Sequence, residues 1–185
     1  EAFSKNIQKS ATKLAFDMLF YTGMRSGELL ALTPADILPD KRISINKNYA
    51  KVKGEELILI PKTAKSNRSI AIPDFLYDDI FDYISKLGGI GKDDRIFYFT
   101  KSALEKEIKR VAEKTGLPNI RVHDLRHSHA SMLIDMGFDI LEISERLGHE
   151  SAKTTLDTYS HLYPEKDTKL AGALNKLRRP DEENA

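Results

Sequence analysis

The stretch H-D-L-R-H at 123–127, followed by L-G-H at 147–149 and S-A-K-T-T-L-D-T-Y at 151–159, gathers an arginine, three imidazoles, a lysine and a phenol in one short segment. Around these residues the chain reads as consecutive helices. One runs from His123 to Met136 and ends at Gly137. A second is capped by Asp139 and carries Ile140, Ile143 and Leu147 as far as Gly148, and a third follows Ser151 over 152–162. His123 and Arg126 are three residues apart, so on a helix they share a face where a single anionic group can meet both. The arrangement points to a phosphate as substrate.

Working outward, residues 4–21 space Ile7, Leu14, Ala15, Met18 and Leu19 as one face of a helix that stops at Thr22-Gly23. A shorter helix begins near Ser26 and runs to about Leu32 before Pro34, which leaves Arg25 at a tight helix junction. Alternation then takes over. Ile43 and Ile45, Leu57 and Leu59, and Ile70 and Ile72 read as three short antiparallel strands, bounded by Lys53-Gly54 and Ser66-Asn67. Pro73 opens a helix with Leu76, Ile80, Phe81 and Ile84 on its apolar face, and Arg95–Phe99 is a strand or a core loop. Thr100 or Ser102 caps the helix that carries Leu104, Ile108 and Val111. A last helix, about 164–178, starts at Pro164 and bears the stripe Leu170, Ala173, Leu174 and Leu177. The whole predicts a mainly α, α+β domain with a small three-stranded antiparallel sheet.

Composition narrows the function classes. At 185 residues the chain fits one domain with its own core. It has no cysteine, which excludes disulfides, thiolate metal sites and a thiol nucleophile, and favours an intracellular setting. No run approaches the roughly 20 apolar residues of a membrane span, and EAFSKNIQKS lacks the order of a signal peptide. A cytoplasmic location away from membranes is expected. The net charge is only +1, yet residues 41–70 hold eight basic side chains against Glu55 and Glu56. That basic stripe is a weak signal for nucleic acid. No glycine-rich phosphate loop is present.

In combination, Thr22-Gly23-Met24-Arg25-Ser26-Gly27-Glu28-Leu29, a lysine-bearing hairpin, His123-Asp124-Leu125-Arg126-His127, Leu147-Gly148-His149 and Tyr159 resemble the tyrosine recombinases, or phage integrases. The resemblance covers essentially the whole chain as that family's catalytic domain, with none of the motifs substituted. It implies double-stranded DNA as substrate and Tyr159 as nucleophile, forming a 3′-phosphotyrosine intermediate without metal, nucleotide or other cofactor. Arg25 and Arg126 would clamp the scissile phosphate, His123 would act as general base, and His149 would hydrogen-bond the phosphate. Lys62, at the head of a K-T-x-x-S-x-R hairpin, would be the general acid, with Lys65 as the alternative. Glu28 is expected to support the arginines. His127 is read as structural or supporting rather than as a base, and His129 and His161 as ordinary structural residues. Lys65, Ser66, Arg68 and Arg121 are candidate DNA contacts.

The chemistry fits the residue types. Arginine forks neutralise charge growing on phosphate oxygens, and a phenol with a pKa of about 10 needs a base nearby before it attacks. The family also implies a dimer or tetramer on DNA, N-terminal core-binding and arm-binding domains beyond residues 1–185, and an accessory directionality factor. The 164–178 helix is a candidate for exchange with a neighbouring protomer. The look of the hairpin and of L-D-T-Y-S-H leans toward integrases of conjugative transposons and phages. Two rivals share features. A type IB topoisomerase uses the same residue types, and a metal phosphohydrolase could use His123, Asp124 and His127, although Arg126 would set a fixed positive charge beside the metal.

Overall fold

The computed structural model describes residues 10–60, 66–162 and 171–175. Seven helices and five strands are labelled here in chain order: α1 (Ser10–Thr22), α2 (Ser26–Leu30), β1 (Ile37–Leu38), β2 (Arg42–Ile45), β3 (Asn48–Val52), β4 (Glu55–Leu59), β5 (Arg68–Ala71), α3 (Asp74–Lys86), α4 (Lys101–Thr115), α5 (Asp124–Asp135), α6 (Ile140–Leu147) and α7 (Ala152–Tyr159). Two 3-10 turns, Pro34–Asp36 and Ser160–Leu162, complete the order, and residues 171–175 are helical. Among the described residues no helix is long and apolar enough to cross a membrane.

The mainly α class with a small antiparallel sheet matches the expectation, but the strands are distributed differently. The three-stranded sheet has the order β1-β2-β5. Its register pairs Ile43 with Ile70 and Ile45 with Arg68, so that Ile43, Ile45 and Ile70 all point into the core. Leu57 and Leu59 do not join it. Their strand, β4, pairs with β3 in a separate two-stranded ribbon. The reason is local. Val52 and Glu55 are joined by the two-residue turn Lys53-Gly54, with φ of 51° and 92°, the left-handed pair that a tight hairpin needs. The sequence Asn48–Val52 has no apolar alternation to announce its strand, and β1 is only two residues long.

One core of buried side chains runs from α1 through α2, the three-stranded sheet, α3 and α4, with Met18, Leu29, Ile43, Leu76, Ile80, Phe97 and Leu104 inaccessible or nearly so. Arg95–Phe99 is a core loop, tied down by the Ile96 N–H donating to the Leu32 carbonyl at 2.8 Å. Thr100, and not Ser102, caps α4, its hydroxyl accepting from the Ala103 N–H at 3.3 Å. A second cluster holds Ala130, Ile134, Ile143, Leu147 and Tyr159. It packs α5, α6 and α7 together, so the ring of Tyr159 on α7 is carried by apolar neighbours on α5 and α6.

Candidate active site

The α1–α2 junction is built by a glycine and a carboxylate. Gly23 has φ +66°, and a Cβ there would lie 2.5 Å from the His129 ring and 2.8 Å from Leu147, so only glycine lets α1 end against α5 and α6. The residue before α2 is Arg25, and Ser26, expected as the cap, is its first helical residue. Glu28, one turn into the helix, reaches back to the Arg25 backbone N–H at 2.8 Å and to its guanidinium at 2.9 Å. The same carboxylate accepts from Arg68 Nη1 at 3.1 Å and Nη2 at 3.0 Å. Arg68 also donates through Nε to the Arg146 carbonyl at 2.9 Å. Gly148 lies against this side chain, and a Cβ there would come within 2.8 Å of Arg68 Nη1, which accounts for the glycine of L-G-H.

Arg68, a candidate DNA contact from the sequence, is turned inward onto Glu28. Its side chain is 8% exposed, and the fork that would have met a phosphate is filled by Glu28. A buried guanidinium without a partner is strongly unfavourable, and Glu28 is the anion within reach. Arg121 does lie on the surface, with its side chain 77% exposed and paired to Asp124 at 2.9 Å. The carbonyl of Ser66 accepts from Arg68 at 3.4 Å. Lys62 and Lys65 lie outside the described residues, as do Pro164 and most of the 164–178 helix.

On α5, Arg126 is buried. Its Nη1 donates to the Gly23 carbonyl at 2.6 Å and its Nη2 to the Leu147 carbonyl at 2.7 Å, fastening the first helix junction to the end of α6. His123 is the residue that precedes α5, and it is exposed. One turn on, His127 meets it edge-to-face with ring centroids 4.8 Å apart. His127 Nδ1 is 2.7 Å from the Tyr159 hydroxyl. The sequence reading made His123 the base and His127 a supporting residue, yet among the described residues it is His127 that touches the phenol. Asp124 is turned back onto the Arg121 backbone at 2.8 Å. Among the described residues no group of three His, Cys, Asp or Glu side chains is placed to hold a metal.

Three supporting contacts were not anticipated. His149 Nδ1 is 2.7 Å from the Thr155 hydroxyl, which is fully buried. Thr155 stands four residues before Tyr159, on the same helix face, and that spacing was its available signal. Arg146 donates from Nε to His129 Nε2 at 3.0 Å and from Nη2 to the Tyr21 carbonyl at 3.0 Å. His129 is buried there. The side chain of His161 lies outside the described residues.

The field at this site is strongly positive. Burial pushes His149 down to about 4, and the charges of Arg126, Arg25 and Arg68 push the same way, so its imidazole is neutral. Burial and the neighbouring His127 and Arg126 lower His123. His129 is held at about 4 by burial and then by Arg146, which keeps its Nε2 lone pair free to accept. Burial lowers Arg126 to about 9, with Arg25 adding to the effect, and it remains charged at neutral pH. For Glu28 burial acts to raise the pKa, but the hydrogen bonds and charges of Arg68 and Arg25 outweigh it and hold the carboxyl below its ordinary range. Burial raises Tyr159, with Arg126 opposing, so the phenol keeps its proton unless a neighbour takes it.

Residues 1–166 match the sequence model of the Phage integrase family. The chain is similar to the ICEBs1 integrase of Bacillus subtilis (strain 168), 36% identical over 185 residues that cover 89% of this chain and 49% of that protein. It is similar also to the integrase of Staphylococcus phage L54a, 33% identical over 88% of this chain and 51% of that protein. Among solved structures its fold resembles that of the Tn1549 transposon integrase in complex with circular intermediate DNA. That match has a TM-score of 0.82 at 21% identity, covering 95% of this chain and 64% of that chain. The chain spans about half the length of the curated relatives it matches.

Proposed function

Because the chain belongs to the Phage integrase family, we propose that it is the catalytic domain of a site-specific DNA recombinase, cutting and rejoining strands through a 3′-phosphotyrosine linkage to Tyr159. The observation that carries this reading is the Tyr159 hydroxyl held at 2.7 Å by an imidazole beside Arg126 and within the field of that arginine. A phenol buried with a basic nitrogen on its oxygen, next to fixed positive charge, is what metal-free attack on a phosphodiester requires.

In this mechanism Arg126, held by two carbonyls, keeps further N–H donors for a phosphate oxygen, and Arg25 supplies the second cation. With the Thr155 hydroxyl donating to Nδ1, His149 carries its hydrogen on Nε2 and donates it to the phosphate. Lys62, or Lys65, protonates the leaving 5′ oxygen. Arg121 lies exposed just before α5, available to the DNA backbone. The bond energy of the cut strand is conserved in the phosphotyrosine, so rejoining needs no nucleotide. The partners are double-stranded DNA, further copies of the protein in a dimer or tetramer, and an accessory directionality factor, with integration and excision of a mobile element as the outcome.

The test is a nicked suicide duplex carrying the recombination site, resolved on a denaturing gel. The wild type traps a covalent protein–DNA band that Tyr159→Phe lacks. No wild-type band, or an undiminished band from the Phe variant, would overturn the mechanism.

A further inference from the structure

The family motifs leave the proton of Tyr159 to His123, but the geometry of α5 and α7 points elsewhere: we infer that His127, through Nδ1, is the group that takes the Tyr159 proton on cleavage and returns it on rejoining. This inference rests on the reading of Tyr159 as nucleophile. The phenol is 4% exposed and packed among Ala130, Ile134, Ile143 and Leu147, so solvent reaches its oxygen poorly. The hydrogen-bond partner of that oxygen among the described residues is His127, at 2.7 Å. Since a neutral phenol donates, Nδ1 accepts, and the ring hydrogen of His127 sits on Nε2. The distance lies within the reach demanded of a general base.

The spacing of α5 supplies the rest of the route. His127 is half-buried and His123, one turn earlier, is exposed, with the two rings edge-to-face at 4.8 Å. The three side chains therefore run from the buried phenol to the surface in the order Tyr159, His127, His123. Burial raises the phenol, so a free phenolate is disfavoured, and a positioned acceptor is needed as the oxygen attacks. In the forward step the Tyr159 oxygen bonds to phosphorus and the bond from phosphorus to the 5′ oxygen breaks. The phenolic proton passes to His127 Nδ1, giving an imidazolium, while the 5′ oxygen takes its proton from the hairpin lysine. In rejoining, the 5′ hydroxyl attacks and returns its proton to the lysine. The bond from phosphorus to Tyr159 breaks, and His127 gives its proton back to the phenolate. Atoms and charge balance over the cycle, and His123 is left free to face the phosphate.

The test uses single-turnover cleavage of the suicide duplex by wild type, His127→Ala, His127→Asn and Tyr159→Phe, with DNA affinity measured in parallel. Asparagine sets an acceptor oxygen where Nδ1 was and keeps the hydrogen bond, but it cannot take a proton. Removing a general base costs about 10²–10⁴-fold in rate, so both His127 variants should slow by that order at unchanged DNA affinity. Added imidazole, entering the half-exposed space left in His127→Ala, should speed cleavage by that variant. Wild-type rates from the Asn variant, or an Ala variant that imidazole leaves untouched, would overturn the inference and reduce His127 to a prop for the tyrosine ring. Tyr159→Phe keeps the two readings separate. A covalent band from the wild type that is lost in Tyr159→Phe upholds the nucleophile even if His127 proves dispensable.

Discussion

At the α1–α2 junction one carboxylate, Glu28, accepts four hydrogen bonds from Arg25 and Arg68. On α5–α7 the pairs that hold the site join an imidazole to a hydroxyl, His127 with Tyr159 and His149 with Thr155. Arg126 stands between the halves, bonded to a carbonyl from each. The difference follows from charge. Two guanidiniums beside a third need an anion nearby, whereas His149, buried in the field of those cations, loses its proton and is met by a hydroxyl. The site therefore gathers positive charge while His149 stays neutral within it.

The two halves differ most in their dependence on Glu28. Glu28→Ala leaves Arg68 buried without an anion, and urea unfolding should show a loss of about 3–5 kcal/mol, the usual effect of removing one partner from a buried pair. A loss below about 1 kcal/mol would mean that water or another group satisfies Arg68. Next comes Arg126→Lys. An ammonium cannot bridge the Gly23 and Leu147 carbonyls and a phosphate as a fork does, so cleavage of the suicide duplex should fall by roughly 10²–10³-fold. Near-normal cleavage would show that charge alone suffices.

Acid separates the two halves. His129 and His149 have folded pKa values near 4, below the ordinary 6.5, so the unfolded chain binds more protons between those values. Stability conferred by these two imidazoles is complete above about pH 6.5 and is lost as pH falls toward 4. Glu28, also depressed, keeps its ionic half intact until pH drops below the carboxylate range, near 4.5. Urea midpoints measured from pH 7.5 to 3.5 should fall in two stages, and Glu28→Gln should remove only the lower one. A single transition confined to pH below 4.5 would sink the assignment of neutral histidines. The smallest effect is expected from Thr155→Val. It strips a buried partner from His149 at about 1–3 kcal/mol and should slow cleavage through a less well oriented imidazole. Unchanged stability and rate would make the Thr155 contact incidental.

Much of the fold was legible because helix spacing and caps are local. Asp139, Ser151 and Thr100 all cap the helices anticipated for them, with the Leu141, Lys153 and Ala103 N–H groups as donors. Strand partners were not, because pairing depends on which segment a turn brings alongside, and the Lys53-Gly54 turn gave β4 to the unremarkable sequence Asn48–Val52. In the site, the motif residues were legible as residue types. Their partners were not. Nothing in the K-T-x-x-S-x-R pattern says that its arginine turns inward to Glu28, since an arginine at a hairpin base looks the same in sequence whether it meets DNA or a buried carboxylate.

By itself the sequence determined that the chain is mainly helical and that it carries no thiol, because these follow from identity and short-range periodicity. Only the tertiary structure decided which imidazole meets the phenol. His123, the residue before α5, and His127, within it, stand one turn apart with their rings in contact, and sequence spacing treats them alike. The packing of α7 against α5 and α6 through Ile143, Leu147 and Tyr159 brings the hydroxyl to the second turn rather than the first.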